Sequence, residues 1–199
     1  MSTIRFETTP LQIGDWTILR LPEKASAKLP SRGMTLVEGT INGFHSQIVL
    51  EPDGKGSHWF RVDSGLRKAA GISASGVVTM AIEPSKAWPE PEVPADLAKA
   101  LRSDPQAYAL WTDITPMARW DWLRWIRSTN NQETRRRRIE VALSKLKDDK
   151  RRPCCFNRNL CTEPEVSKNG VLPENELQIL HHDHLTACDH WHESPPLLQ

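Results

Sequence analysis

The chain has 199 residues, 26 Lys and Arg against 25 Asp and Glu, a formal net charge of +1 and 38% hydrophobic residues. That is enough chain for one large domain, or a small domain with an extension, and enough apolar content for a modest core. The near-zero net charge excludes a global electrostatic drive toward nucleic acid, and no apolar run approaches the ~20 residues of a membrane-spanning helix.

Taken in order, residues 3–9 read as a strand, with Ile4 and Phe6 alternating with polar positions. Residues 15–21, DWTILRL, read as a second, with Trp16 and Ile18 on one face. A polar connection over 22–30 has room for one helical turn. Residues 33–84 then hold the strongest β signals. Residues 34–41 alternate as a half-buried strand does. Asn42-Gly43 follows, and a two-residue loop needs positive φ at both positions, so the pair predicts a type I′ hairpin. Residues 44–51 form the return strand, with Ile48 and Leu50 on one face, and residues 52–56 (PDGKG) a looser turn. Residues 58–62 are another strand. Ser64 reads as the cap of a short helix over 66–70, closed by Gly71. Residues 76–82 are a last apolar strand, ended by Pro84. Strand centres at Ile4, Trp16, Thr35, Ile48, Trp59 and Val78 predict a small closed β-barrel of about six strands.

Residues 85–94, SKAWPEPEVP, are stiffened by three prolines and read as a linker. Four helices follow: 96–102, then 104–111 with Asp104-Pro105 as N-cap and N1, then 115–127 with Thr115-Pro116 in the same roles, then one capped by Asn130 or Asn131 and running to about 147. The last carries Ile139, Ala142, Leu143 and Leu146 at three-four spacing. The third carries Trp120, Trp122, Leu123, Trp125 and Ile126, too wide a face for one surface, and is expected to be the buried centre of the helical part. A base-stacking platform is its sharper alternative. The fold class expected is α+β: a barrel over 1–84, a linker over 85–94, a helical extension over 95–150 and an irregular Cys- and His-containing tail over 151–199.

Charge is uneven along the chain. Residues 116–152 carry 12 basic and 5 acidic groups, residues 153–199 carry 2 basic and 7 acidic. A solvated helix face answered by the acidic tail accounts for this. Four consecutive arginines, 135–138, must fan over roughly 300° of a helix. Arg135, Arg136 and Arg138 are the anion-binding candidates. Arg119, Arg124, Arg127, Arg151 and Arg152 would have to converge with them to make a nucleic-acid surface.

All four cysteines fall late. Cys154, Cys155, Cys161 and Cys188, with His181, His182, His184, His190 and His192, are ligand types that zinc prefers. The spacing contains no CxxC and no matching knuckle, so neither metal nor cofactor is expected, and the start MSTIRFETTP lacks the apolar stretch of a secretory signal. Reduced thiols and a cytoplasmic location follow as expectations. Beyond Leu146 apolar periodicity ends, and the tail is expected to bury little and stay mobile unless a metal orders it.

A ligand at the barrel mouth would meet His58, Arg67 and Lys68, which lie near turns or the short helix, as does His45. No Ser-His-Asp order, HExxH helix or phosphate-cradling glycine loop is present.

Four stretches, GTINGFHSQIVLEPDGKGSHWFRV, LRKAAGI, PEVPADLAKAL and ETRRRRIEVALSKL, together resemble the YdeI/OmpD-associated, bacteriocin-protection-like family. The resemblance runs from about Phe6 to Lys147. It implies a small closed barrel of unknown function, a helical segment ending in an Arg-rich helix, and residence in a bacterial cytoplasm. Only motif positions carry over: Asn42 and Gly43, residues 66–71, and residues 133–138. It implies no reaction. The expected function is a soluble, non-enzymatic binding or stress-associated module. The alternatives are an enzyme or small-ligand binder using His58 and Arg67, or nucleic-acid or anion binding through the Arg-rich helix.

Overall fold

The computed structural model describes residues 2–154 and 156–174. Among them are seven strands and six helices: β1 (Ile4–Thr8), β2 (Leu11–Ile13), β3 (Trp16–Arg20), α1 (Glu23–Ser26), β4 (Thr35–Ile41), β5 (Phe44–Pro52), β6 (His58–Arg61), α2 (Ser64–Ala69), β7 (Val78–Pro84), α3 (Ala95–Arg102), α4 (Pro105–Asp113), α5 (Pro116–Arg127) and α6 (Gln132–Lys147). The α+β class and the order of strands before helices are as the sequence predicts.

The strands form one antiparallel sheet in the order β1-β7-β4-β5-β6-β3-β2. It is a half-barrel, open rather than closed. Its end strands β1 and β2 are consecutive in sequence, yet among the described residues no ladder pairs one with the other. The count is seven rather than six because Thr9-Pro10 ends one pairing and starts another. Before it, Ile4 to Thr8 pair with β7; after it, Leu11 to Ile13 pair with β3. A three-residue strand after a proline carries too short an alternation to be read from sequence.

At the hairpin, Ile41 pairs with Phe44 across Asn42 and Gly43, whose φ values are 48° and 82°. Both lie in the left-handed region that a type I′ turn demands. The cap of α2 is Asp63, not Ser64: its carboxylate accepts from the Leu66 backbone N–H at 2.8 Å. A carboxylate at this position also favours the positive end of the helix dipole. The caps Asp104, Thr115 and Asn131 each accept from the N–H three residues on, as their sequences predict.

Three apolar clusters organise the molecule. The concave face of the half-barrel packs Leu19, Val37, Leu50, Phe60, Met80 and Ile82. The helices pack Leu97, Ala107, Trp111, Trp122, Ile126 and Ala142. Trp122 is buried at the centre of α5 while Trp120 and Trp125 are half-buried, so α5 is the core helix expected of it. On the other face of the sheet, Ile13 of β2, Ile18 of β3 and Trp59 of β6 are covered by Cys161, Val166 and Leu172.

That third cluster corrects the reading of the tail. Residues 156–174 have no helix or regular strand, but they are packed. The Cys161 N–H donates to the Gly170 carbonyl at 2.7 Å, the Leu172 N–H donates to the Asp53 carbonyl at 2.8 Å, and the Trp16 indole N–H donates to Glu165 at 2.9 Å. A strand buried on both faces explains why Thr17, Ile18 and Leu19 are all buried in β3. Isolated apolar residues in a loop leave no periodic trace, so the sequence gives no signal for this cover. Among the described residues no helix is long and apolar enough to cross a membrane.

Candidate functional site

The packed tail lies against a buried polar junction between half-barrel and helices. Glu51, near the end of β5, is its hub. It pairs with Arg127 at the end of α5, sits 3.5 Å from the Arg124 Nε, and accepts from the Thr162 hydroxyl at 3.2 Å. Arg127 also holds Glu163, with 2.5 Å between its Nε and the carboxylate. Arg124 is fully buried, and its Nη2 donates to the Leu160 carbonyl at 3.1 Å. One turn earlier on α5, buried Asp121 receives Arg152 at 3.0 Å and Arg158 at 3.1 Å.

The electrostatics follow from burial against pairing. Burial alone would push the Glu51 carboxyl up, but Arg127 and Arg124 more than offset it and hold it below the usual carboxylate range. Glu163 shares Arg127 with Glu51, and burial pushes it up to about 7 against the pull of that arginine. Burial likewise raises Asp121 despite its three arginine neighbours. Burial pushes the Cys161 thiol up to about 11, so it stays protonated at neutral pH and is a poor nucleophile or metal ligand there.

Two cavities flank the junction. One, about 440 Å³, lies between the half-barrel and α5, with Trp16, Trp59 and Trp120 among its walls and Arg127, Glu51 and Glu163 at its polar end. Arg61 also lines it, stacked 4.1 Å from the Trp16 ring centroid. The other, about 350 Å³, lies between α5, α6 and the tail and includes Trp125, Arg138, Phe156 and Thr162. Thr162 borders the second cavity while bonding Glu51, which borders the first.

The residues singled out by sequence fall elsewhere or separately. His58 is fully buried: its Nδ1 meets the Ser26 hydroxyl at 2.7 Å and its Nε2 the Gly33 carbonyl at 2.8 Å. Burial lowers its pKa, and it holds α1 and the chain before β4 rather than facing an opening. Arg67 is half-buried and Lys68 exposed on α2, and neither they nor His58 line the cleft beside α5. His45 is exposed and lines a third cavity, of about 670 Å³, beside Gly39 and Glu83. Arg135 pairs with Asp96, and Arg136 with Glu133. Arg138 turns back to the Trp125 carbonyl and the Ser128 hydroxyl. The wider basic segment is answered by neighbours: Arg119 by Glu90, Arg151 by Asp113, Arg152 and Arg158 by Asp121. The acid that answers it comes mainly from the linker, the helices and β5; the described tail contributes Glu163 to Arg127. Cys154 is exposed and Cys161 buried, while Cys155, Cys188 and the late histidines lie outside the described residues.

The sequence reading missed Glu51, Arg124, Arg127 and Glu163 as a group. Glu51 enters that reading only as the last residue of the return strand. Arg124 lay among the tryptophans of a helix already identified as buried, and an arginine there requires a partner; that was the available signal.

A half-barrel joined through a proline-rich linker to a four-helix extension defines a two-part class, and its two parts match two family models. Residues 2–82 match a domain of unknown function (DUF1905). Residues 90–149 match the family described as bacteriocin-protection, YdeI or OmpD-associated. The second segment is thus similar to that family and the first to the DUF1905 domain, in the order that the sequence resemblance implies. A comparison with curated proteins gave no match. Neither family description carries a reaction, and none is assigned. The junction draws Glu51 from the first segment and Arg124 and Arg127 from the second, whereas Thr162 and Glu163 lie beyond both.

Proposed function

We propose that the protein is a small-ligand-binding module and that its site is the tryptophan-walled cleft between the half-barrel and α5. The observation that carries the reading is the composition of that cleft: about 440 Å³, with Trp16, Trp59 and Trp120 among its lining residues beside the charged Glu51, Arg61, Asp63, Arg127 and Glu163. Most ligand sites combine apolar walls with few polar groups and sit between packed units. The ligand class that fits is a flat ring system carrying one hydrogen-bonding group, the ring against the indoles and the polar group toward Glu163 and Arg127. With its pKa near 7, Glu163 can donate or accept a hydrogen bond at neutral pH. The site differs from the barrel mouth: α2 and its cap contribute Leu66 and Asp63 to it rather than Arg67 and Lys68.

Indole is a suitable probe. In a titration followed by NMR, the side-chain N–H signals of Trp16, Trp59 and Trp120 should shift together and saturate. Val49 also lines the cleft, and Val49→Trp should fill it and abolish the shifts without unfolding the chain. Saturable shifts confined to other tryptophans, or unchanged shifts in Val49→Trp, would count against this site.

A further inference from the structure

Arg138 is the one arginine of α6 that borders the cavity between α5, α6 and the tail; Arg137, which also pairs with no carboxylate among the described residues, is exposed. Arg135 and Arg136 end on carboxylates. Arg138 has none: its Nη1 donates to the Trp125 carbonyl at 2.9 Å and to the Ser128 hydroxyl at 2.7 Å, both neutral. Its guanidinium lies 5.7 Å from the Trp125 ring centroid. Among the described residues no carboxylate pairs with it, and its Nε and Nη2 make no hydrogen bond. Those two atoms are one edge of the guanidinium fork, the edge that matches the two oxygens of a carboxylate.

The same side chain borders the cavity of about 350 Å³ between α5, α6 and the tail. No Asp or Glu among the described residues lines that cavity. Trp125 and Phe156 supply aromatic wall, and Asn157 and Ser167 supply neutral hydrogen-bonding groups. Its volume lies in the range of small-molecule sites. Burial beside the cavity pulls the Arg138 pKa down, with no nearby acid to oppose the shift.

We propose that this cavity is a binding site for a small organic carboxylate on a flat apolar body, held through the free edge of Arg138. One uncompensated cation matches one negative charge. A phosphate monoester, close to a dianion at neutral pH, would leave an excess negative charge that this cavity has no second cation to meet. The neutral partners on Nη1 fix the guanidinium plane before a ligand arrives, which lowers the ordering cost of binding. The site is separate from the tryptophan-walled cleft and does not depend on that reading.

The test uses the full chain and three probes: benzoate, its neutral isostere benzamide, and phenyl phosphate. In calorimetric titrations benzoate should bind saturably and shift the Trp125 indole N–H signal. Benzamide should bind at least roughly tenfold more weakly, since it lacks the charge that completes the fork. Phenyl phosphate should bind no better than benzoate. Arg138→Lys keeps the charge but loses the fork, and should weaken benzoate while leaving benzamide unaltered. The proposal is overturned if benzoate fails to bind, if benzamide equals it, or if phenyl phosphate exceeds it. It is also overturned if a folded Arg138→Lys binds benzoate as tightly as the parent. Should that variant not fold, the wild-type comparison of benzoate with benzamide, read at Trp125, decides.

Discussion

Glu51 at the end of β5 and Arg127 at the end of α5 form an ion pair that ties the half-barrel to the helical extension. The same carboxylate faces Arg124, whose side chain has no exposure. Neither arginine can be read in isolation, because a buried charge is tolerated only while its partner is present.

Removing that shared partner gives the first prediction. Glu51→Gln keeps the shape of the side chain and deletes its charge. Loss of one member of a buried pair costs roughly 3–5 kcal/mol. Arg127 is 27% exposed and can turn toward water, whereas Arg124 cannot. The lower end, about 3 kcal/mol, is therefore expected. Urea denaturation followed by tryptophan fluorescence measures it. A loss below about 1 kcal/mol would mean that Arg124 reaches solvent or another acceptor.

The tail supplies the second prediction, and it reverses the expectation from sequence. Truncation after Lys150 removes Cys161, Val166 and Leu172 from Ile13, Ile18 and Trp59, and strips Thr162 and Glu163 from the ionic junction. Each fully buried aliphatic side chain contributes about 1.5–3 kcal/mol. The truncated chain should therefore melt well below the full chain, whereas truncation after Glu174 should keep these contacts. Equal melting temperatures for the full chain and the chain ending at Lys150 would show that residues 156–174 do not hold the sheet.

The contrast shows what a sequence can disclose. Asn42-Gly43, Asp104-Pro105 and Thr115-Pro116 were legible because each needs only local chemistry: a φ sign or a side-chain oxygen at a helix start. Six of the seven strands were legible from apolar alternation, and β2 was not, because three residues cannot show a period. The candidate site was hardly legible. Glu51 and Arg127 lie 76 positions apart, Thr162 and Glu51 lie 111 apart, and nothing local in either pair announces the other. His58 drew attention as a titratable group near turns, but its hydrogen bonds to Ser26 and Gly33 are set by tertiary packing.

The third prediction tests how closely the tail sits on the β5–β6 turn. Gly54 has φ of +81°, and a Cβ there would lie 2.2 Å from the Gly170 carbonyl oxygen. Both the left-handed backbone and the close approach oppose a side chain. Gly54→Ala should cost roughly 1–3 kcal/mol for the backbone conformation alone, plus displacement of the tail. Proteolysis at residues 156–174 should accelerate in the variant. In the chain truncated after Lys150 the steric part of the penalty should vanish and only the conformational part remain. An identical penalty in both backgrounds would refute the close approach.

The last prediction concerns pH. In the folded chain Glu163 is pushed from its ordinary 4.5 up to about 7 by burial, against the opposing pull of Arg127. Between those two values the folded chain holds a proton that the unfolded chain has released. Stability then falls as pH rises through that window. Other groups act with the opposite sign, His58 and Glu51 among them. Burial depresses His58, so its contribution is lost as pH falls below about 6.5. Glu51, held down by Arg127 and Arg124, contributes stability that is lost as pH falls below its ordinary 4.5. The wild-type profile between pH 5 and 7 therefore mixes opposing slopes, and only a difference curve isolates Glu163. Glu163→Gln cannot ionise. Relative to wild type it should gain stability steadily from pH 4.5 to 7 and then level off. The total gain has an upper bound of about 3 kcal/mol for a shift of this size. Matched urea titrations of the two proteins at five pH values measure it. A difference that does not change with pH would place the Glu163 carboxyl in its ordinary range and remove it as a neutral hydrogen-bonding group of the cleft.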